Sequence, residues 1–348
     1  VTAPPSTRSI GRLVAAAMSG VLAISLMAVA LPRLTGTSWH AMAGRMATLS
    51  LQQIAVLTIV WLTGLFVHTY VMIASVPRLS HRRAMMLNFS GSAVANTVPF
   101  GGVVGMGLTY SMLRSWGFSR REFGIMTLLT NAWTMVTKLV LPSLAVGSLV
   151  LVGHGLGRNV LPSAIVGLVI VGLGAALAAA NRARRDRAGS SNRIAFTRRV
   201  VSRILPTSAG ETITAFRREA GTIVHQRWRQ LTLGALGYSV LQALLLGLCL
   251  HAFGTRLSPV DVFAGFAVGS LLTLVPITPG GLGVSETGMA ALLIALGGDP
   301  AATTAAVLLF RTFTFLLEIP AGAVCTAAWW LRRATRNAAL PDAVALPA

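Results

Sequence analysis

Pro276-Ile277-Thr278-Pro279-Gly280-Gly281-Leu282-Gly283 interrupts an apolar run over 260–297, and Asn96-Thr97-Val98-Pro99-Phe100-Gly101-Gly102 interrupts another over 84–114. Proline lacks the amide that a helix requires, and glycine loosens the turn, so both breaks predict non-helical backbone. Each arm of the 84–114 region has about 15 residues, roughly 22 Å of helix, short of a hydrocarbon core of about 30 Å. Irregular backbone at membrane depth is tolerated only where protein buries it or it lines a wet cavity. The breaks therefore predict either re-entrant hairpins or pairs of short tilted spans.

Six further segments are long and apolar enough to cross, at roughly 10–31, 46–76, 122–150, 159–180, 231–253 and 301–331. The first follows Arg8 and Arg12 and ends near Ala28-Val29-Ala30, which resembles a cleavage site. Its apolar run is longer than a secretory signal core, so it reads as a membrane helix. Composition agrees, with 54% hydrophobic and 11% charged residues. That charged share is below half of what soluble domains carry. The expected fold is all-α: a polytopic membrane helix bundle of about six full spans and two broken or re-entrant helical hairpins.

The net charge of +20 would otherwise suggest nucleic acid, but the arginines fall between the apolar runs, where the positive-inside rule places them. Nucleic acid is therefore not an expected partner. Arg78, Arg82 and Arg83 precede the first broken region, and Arg114, Arg120 and Arg121 follow it, so both flanks read as cytoplasmic. Residues 254–259 and 298–300 flank the second broken region and read as external, while Arg332, Arg333 and Arg336 return the tail to the cytoplasm. The two regions thus enter from opposite faces. Gly91-Ser92, Pro99, Gly101-Gly102 and Pro142 also run parallel to Gly269-Ser270, Pro276, Gly280-Gly281 and Pro320. Such a pattern marks inverted-topology transporters, whose sites lie where broken helices meet. One transmembrane domain over 1–348 is expected, with repeat regions at 10–180 and 231–331, a cytoplasmic segment at 181–230 and a cytoplasmic tail at 332–348.

Within 181–230, Ser208 and Glu211 have capping-box spacing. Ile213, Phe216, Ala220, Ile223, Val224 and Trp228 recur at helical intervals with Arg217, Arg218, Arg227 and Arg229 between them. A basic amphipathic helix over 208–229 would lie flat on anionic inner-leaflet lipid. A solvated, topology-setting loop is the alternative.

Charged groups inside a membrane segment cost about 2.5–3.5 kcal/mol on insertion scales and point to a role or a partner. Glu286 follows the Pro-Gly-Gly break, where a helix dipole favours a carboxylate. Arg311 and Glu318 are two turns apart on one helix face. Lys138, Asn131 and Asn96 are the counterparts in the first repeat region. These six are the candidate substrate-binding residues, with Pro99, Gly101, Gly102, Pro279, Gly280, Gly281 and Gly283 as cavity-lining backbone. The competing reading is that Glu286, Arg311, Glu318 and Lys138 pair among themselves and only hold helices together.

Catalytic and cofactor signals are thin. No histidine pair has metal spacing, and Cys249 and Cys325 stand alone in apolar runs. His68 and His251 each read as packed or hydrogen-bonded residues of apolar helices. Gly153-His154-Gly155-Leu156-Gly157 lacks the lysine and strand–turn–helix setting of a phosphate loop. No metal, cofactor or enzymatic activity is expected.

The run from Pro276 to Glu286, followed by Gly297 and Arg311, resembles the signature of the lysylphosphatidylglycerol synthase/flippase-like transmembrane family. Asn96 to Gly102 and the Leu113-Arg-Ser-Trp-Gly117 run resemble that family's N-terminal motif, and the likeness spans roughly 10–331. Many members carry an acidic residue shortly after the first proline; here the sequence reads Gly102-Val103-Val104. Bifunctional members continue into a soluble domain that transfers lysine from tRNA to lipid, whereas this sequence ends at Ala348. The resemblance thus implies the lipid-translocating half. The function expected is a flippase-like protein of the bacterial plasma membrane, with cytoplasmic termini, moving or binding a lipid with a polar or charged headgroup. Glu286 would engage a cationic group or proton, and Arg311 a phosphate. A membrane enzyme acting on a lipid-linked sugar and a non-transporting envelope scaffold are the alternatives. Membrane lipids are the expected partners, with an envelope-synthesis protein or a second copy of the chain as further candidates.

Overall fold

In a computed structural model of the protein, residues 31–97, 101–151, 207–274 and 278–338 are described, together with 25, 28 and 29. Most of the expected 10–31 span, the whole 159–180 span, Pro99 and Pro276 lie outside them. Every regular element among the described residues is helical. In chain order these are α1 (Leu31–Thr35), α2 (Trp39–Met46), α3 (Leu51–Ser75), α4 (His81–Thr97), α5 (Gly101–Ser115) and α6 (Arg120–Leu151). After the undescribed segment come α7 (Thr207–Ala252), α8 (Pro259–Leu272), a 3-10 turn (Pro279–Gly281), α9 (Val284–Ala295), α10 (Pro300–Arg311), a π turn (Thr312–Leu316) and α11 (Glu318–Ala338).

Leu51–Ser75, Arg120–Leu149, Arg218–Ala252 and Pro300–Arg333 are long and apolar enough to cross a membrane. They answer the expected spans 46–76, 122–150, 231–253 and 301–331. Their outer faces keep large apolar groups uncovered, as at Leu51, Ile59, Leu233, Val240 and Val324. In water that much exposed hydrocarbon would be costly, whereas in lipid it costs nothing. Polar side chains turn inward instead, with Thr69, Ser75, Ser90, Gln242, Thr303 and Thr304 all buried.

Both broken regions fold back as antiparallel helical hairpins. In the α4–α5 hairpin a side chain at Gly105 would meet the Gly91 carbonyl at 2.8 Å. In α8–α9, Gly265 faces Leu293 and Gly269 faces Met289. The arms have 17, 15, 14 and 12 residues. At 1.5 Å per residue the longest is about 25 Å, which falls short of a crossing. The first break is shorter than the sequence suggests. Gly101 and Gly102 already belong to α5, and Gly101 packs closely against α4: a Cβ there would meet the Val94 and Ala95 carbonyls at 2.5 Å. In the second break Gly280 has φ 61° and Gly281 φ 71°. Left-handed backbone of this kind suits only glycine readily.

The continuous α10–π–α11 rod orders the bundle. Near its start it packs on α9 and α7, and Arg45 of α2 pairs with Asp299 at 3.3 Å. Farther on it lies against α4, where a Cβ at Gly322 would fall 2.1 Å from the Phe89 carbonyl. Near its end Trp329 donates a hydrogen bond to Ser115 at 2.9 Å. The rod therefore runs from the open end of α8–α9 to the open end of α4–α5, so the hairpins enter from opposite ends. Their tips meet midway, where the 3-10 turn packs on α4, and Asn96 Nδ2 donates to the Phe315 carbonyl of the π turn beside them at 3.2 Å. The π turn sits just before Pro320, which has no amide for the Leu316 carbonyl four residues earlier.

The basic amphipathic segment differs from its expected form. It is continuous with the following span as one 46-residue helix, α7. Flat docking would need a break near Trp228–Gln230, and that sequence holds neither proline nor glycine. Instead Glu219 pairs with Arg121, and Phe216 packs on Gly124, which binds the segment to the start of α6. Arg78, Arg83, Arg114 and Arg333 lie at this same end of the bundle, by Glu122, Trp116, the Phe118 carbonyl and Trp329 respectively. Cysteines placed at exposed Arg120 and exposed Ala295 are expected to label from opposite faces of sealed vesicles. Labelling of both from one face would contradict the arrangement.

Candidate functional site

A stripe of polar groups at helical spacing runs along α6: Thr130, Asn131, Thr134, Thr137 and Lys138. It faces Tyr238, Ser239 and Gln242 of α7 and Ser270 and Thr273 of α8 across a cavity of about 340 Å³. Arg311 and Thr314 close one wall, with Ser285 from the start of α9. The volume lies in the range usual for small-ligand sites, about 300–1,000 Å³. A second cavity of about 250 Å³ lies between α4, α5 and α6 and shares His68, Thr130 and Asn131 with the first. Asn88 Nδ2 donates a 3.1 Å hydrogen bond to His68 Nδ1, and the imidazole packs on Tyr238.

Lys138 Nζ donates to Thr273 Oγ1 at 2.7 Å. Among the described residues no carboxylate lies within ion-pair distance of it. Pro142 follows by four positions, so it offers no amide to the Lys138 carbonyl. Asn131 lines both cavities and ties its amide to the Thr127 carbonyl.

Arg311 Nε donates to Glu286 Oε1 at 2.5 Å, Nη2 donates to the Gly280 carbonyl at 3.1 Å, and the guanidinium stacks over Phe315. One side chain thus closes the left-handed turn, the start of α9 and the π turn on each other. Glu286 is 0% exposed. Its Oε2 accepts the Gly283 amide at 2.7 Å and the Ser285 hydroxyl at 3.1 Å, capping α9. The expectation that Glu286 and Arg311 share a cavity is therefore corrected. Arg311 lines it, whereas Glu286 is sealed behind, because cap and guanidinium use both its oxygens.

Glu318 is buried against Ser92 and Trp61, within electrostatic reach of Arg311, and lines neither cavity. Asn96 lines neither cavity as well, since its amide joins the tip of α4 to the π turn of the rod. Of the break residues, Gly102 borders the smaller cavity, Gly101 packs on the Val94 and Ala95 carbonyls, Gly280 on Phe315, Gly281 on Thr273, and Gly283 gives its amide to Glu286. Pro279 opens the 3-10 turn without bordering either cavity. Apart from Asn131, the hydroxyls and amides of α6, α7 and α8 were not among the expected site residues, although their spacing was a usable signal.

A family model described as "Lysylphosphatidylglycerol synthase TM region" matches residues 15–322. The chain belongs to this family. It is accordingly a multi-pass integral membrane protein related to lipid handling. Both hairpins, the rod as far as Gly322 and every residue of the two cavities fall within the matched range of this lysylphosphatidylglycerol synthase transmembrane region. No curated protein matches the chain.

Proposed function

We propose that the protein is a flippase-like lipid translocator that takes a polar headgroup into the larger cavity and exposes it alternately to the two leaflets. The observation that carries this reading is the placement of a polar, partly charged cavity beside the point where two opposed hairpins meet. Hydroxyls and amides in the cavity replace headgroup hydration, and the acyl chains stay in lipid outside the short arms. The hairpins act as an inverted pair whose tips part on one side as they close on the other. The scaffold reading would be favoured by a filled interior, and a membrane enzyme by acids facing the cavity. Neither feature occurs among the residues that border these two cavities.

In this reading the arginine-rich end faces the cytoplasm of a bacterial cell, with both termini there. The exposed Arg218 and Arg229 on α7 then meet anionic headgroups as the helix leaves the membrane.

Translocation of fluorescent phospholipids in reconstituted vesicles tests the proposal. Wild-type protein is expected to move lipid, and Ser270→Phe, which plugs the cavity, to slow it at least tenfold at normal folded yield. An inactive wild type, or a plugged variant at full rate, would remove the proposal.

A further inference from the structure

The charges that border the larger cavity are cationic. Lys138 and Arg311 line it, and no aspartate or glutamate does. Glu286 offsets Arg311 from behind, out of contact with the cavity. Lys138 has no such partner among the described residues, and its contact is one neutral hydroxyl. An ammonium has three donors, so two remain for a ligand. Taking a cation out of water without a counter-charge is costly. Lys138 and Arg311 also interact through space. An anion between them relieves the repulsion and the lost hydration together. Thr130 Oγ1 is buried, belongs to a residue that borders both cavities and has no hydrogen-bond partner among the described residues, so it offers a further donor.

We infer that the site selects a lipid whose headgroup carries an uncompensated phosphate, held between Lys138 and Arg311, and that it disfavours a headgroup bearing an added lysyl cation. This rests on the translocation reading for its biological setting, though not for its binding chemistry. The inference departs from what the family description would suggest. A lysyl ester adds two positive charges through its α- and ε-ammonium groups, and recognition of them calls for exposed carboxylates. Glu286 cannot serve while Gly283, Ser285 and Arg311 hold it, and Glu318 is turned toward Ser92 and Trp61.

Binding to the full-length protein in detergent tests this without requiring transport. The probes are short-chain phosphatidylglycerol, phosphatidic acid, lysylphosphatidylglycerol and inorganic phosphate. The two anionic lipids are expected to bind at least tenfold more tightly than the lysylated one. Lys138→Gln should lose at least tenfold in anionic-lipid affinity, and Lys138→Arg should keep most of it. Tighter or equal binding of lysylphosphatidylglycerol to wild-type protein would overturn the inference, whether or not the variants fold. So would unchanged affinity in folded Lys138→Gln. Inorganic phosphate that competes at similar affinity would assign the site to a free anion and overturn the lipid assignment. Anionic binding in a protein that moves no lipid would end the translocation reading and leave this one standing.

Discussion

Glu286→Ala is expected to cost about 3–5 kcal/mol of stability, the penalty for leaving a buried charge without its partner. The Glu286 carboxylate is fully buried and accepts from Gly283, Ser285 and Arg311. Alanine would orphan the guanidinium beside the tightest turn in the second hairpin. It would also remove the side-chain cap of α9. Glu286→Gln keeps an acceptor for the Gly283 amide but gives up the charge, so an intermediate loss is expected. Exchanging the pair, with Glu286→Arg and Arg311→Glu together, should restore less than half of the lost stability. The two positions are not equivalent, because an arginine at 286 cannot accept the Gly283 amide. Thermal and denaturant unfolding in nanodiscs would measure all three. Wild-type stability in Glu286→Ala would mean that the pair does not hold the second hairpin to the rod.

Gly322→Val should be as damaging, for a reason of space. The Cβ of any other residue at 322 would lie 2.1 Å from the Phe89 carbonyl oxygen and 2.4 Å from the Ala93 Cβ. The first of these is backbone and cannot rotate away, so α4 must separate from α11. Ordinary overpacking costs about 1–3 kcal/mol. This contact should exceed that range, because separating the helices also strains the Asn96–Phe315 bond and the burial of Glu318. In lipid there is little hydrophobic pressure to push the helices back together, and close packing of small residues carries the association. Gly147→Ala is the control, since nothing lies within 4 Å of its added carbon. It should unfold within about 0.5 kcal/mol of wild type, as substitutions away from packed features do. Loss of the α4–α11 contact would be read as increased cysteine cross-linking distance between the two helices. Equal stability of Gly322→Val and Gly147→Ala would refute the packing argument.

Much of the architecture was legible in the chain. Four of the apolar runs answer to helices long enough to cross, and the Pro-Gly interruptions fell where the chain folds back on itself. These features are local. Hydropathy, proline and glycine act on the backbone within a turn or two, and membrane depth sets helix length. The same local logic explains one difference. The basic 208–229 segment has helical periodicity, but periodicity cannot reveal that the helix continues unbroken into the next span. Only packing of Phe216 and Glu219 against α6 places it.

The charged site residues were also legible, since an ionisable side chain within an apolar run is conspicuous. Their division of labour was not. By itself the sequence determined that the protein is a helical membrane bundle and that Glu286, Arg311, Glu318 and Lys138 lie within its apolar runs. Tertiary structure alone decided which of them meet: Glu286 with Arg311 across 25 residues, Asn96 with Phe315 across 219, and Lys138 with Thr273 across 135. The reason is that a carboxylate's role depends on which donors reach it, and those donors come from elements far apart in the chain. Glu286 is taken up by its own cap and by Arg311, which leaves Lys138 as the cavity cation without a carboxylate partner among the described residues.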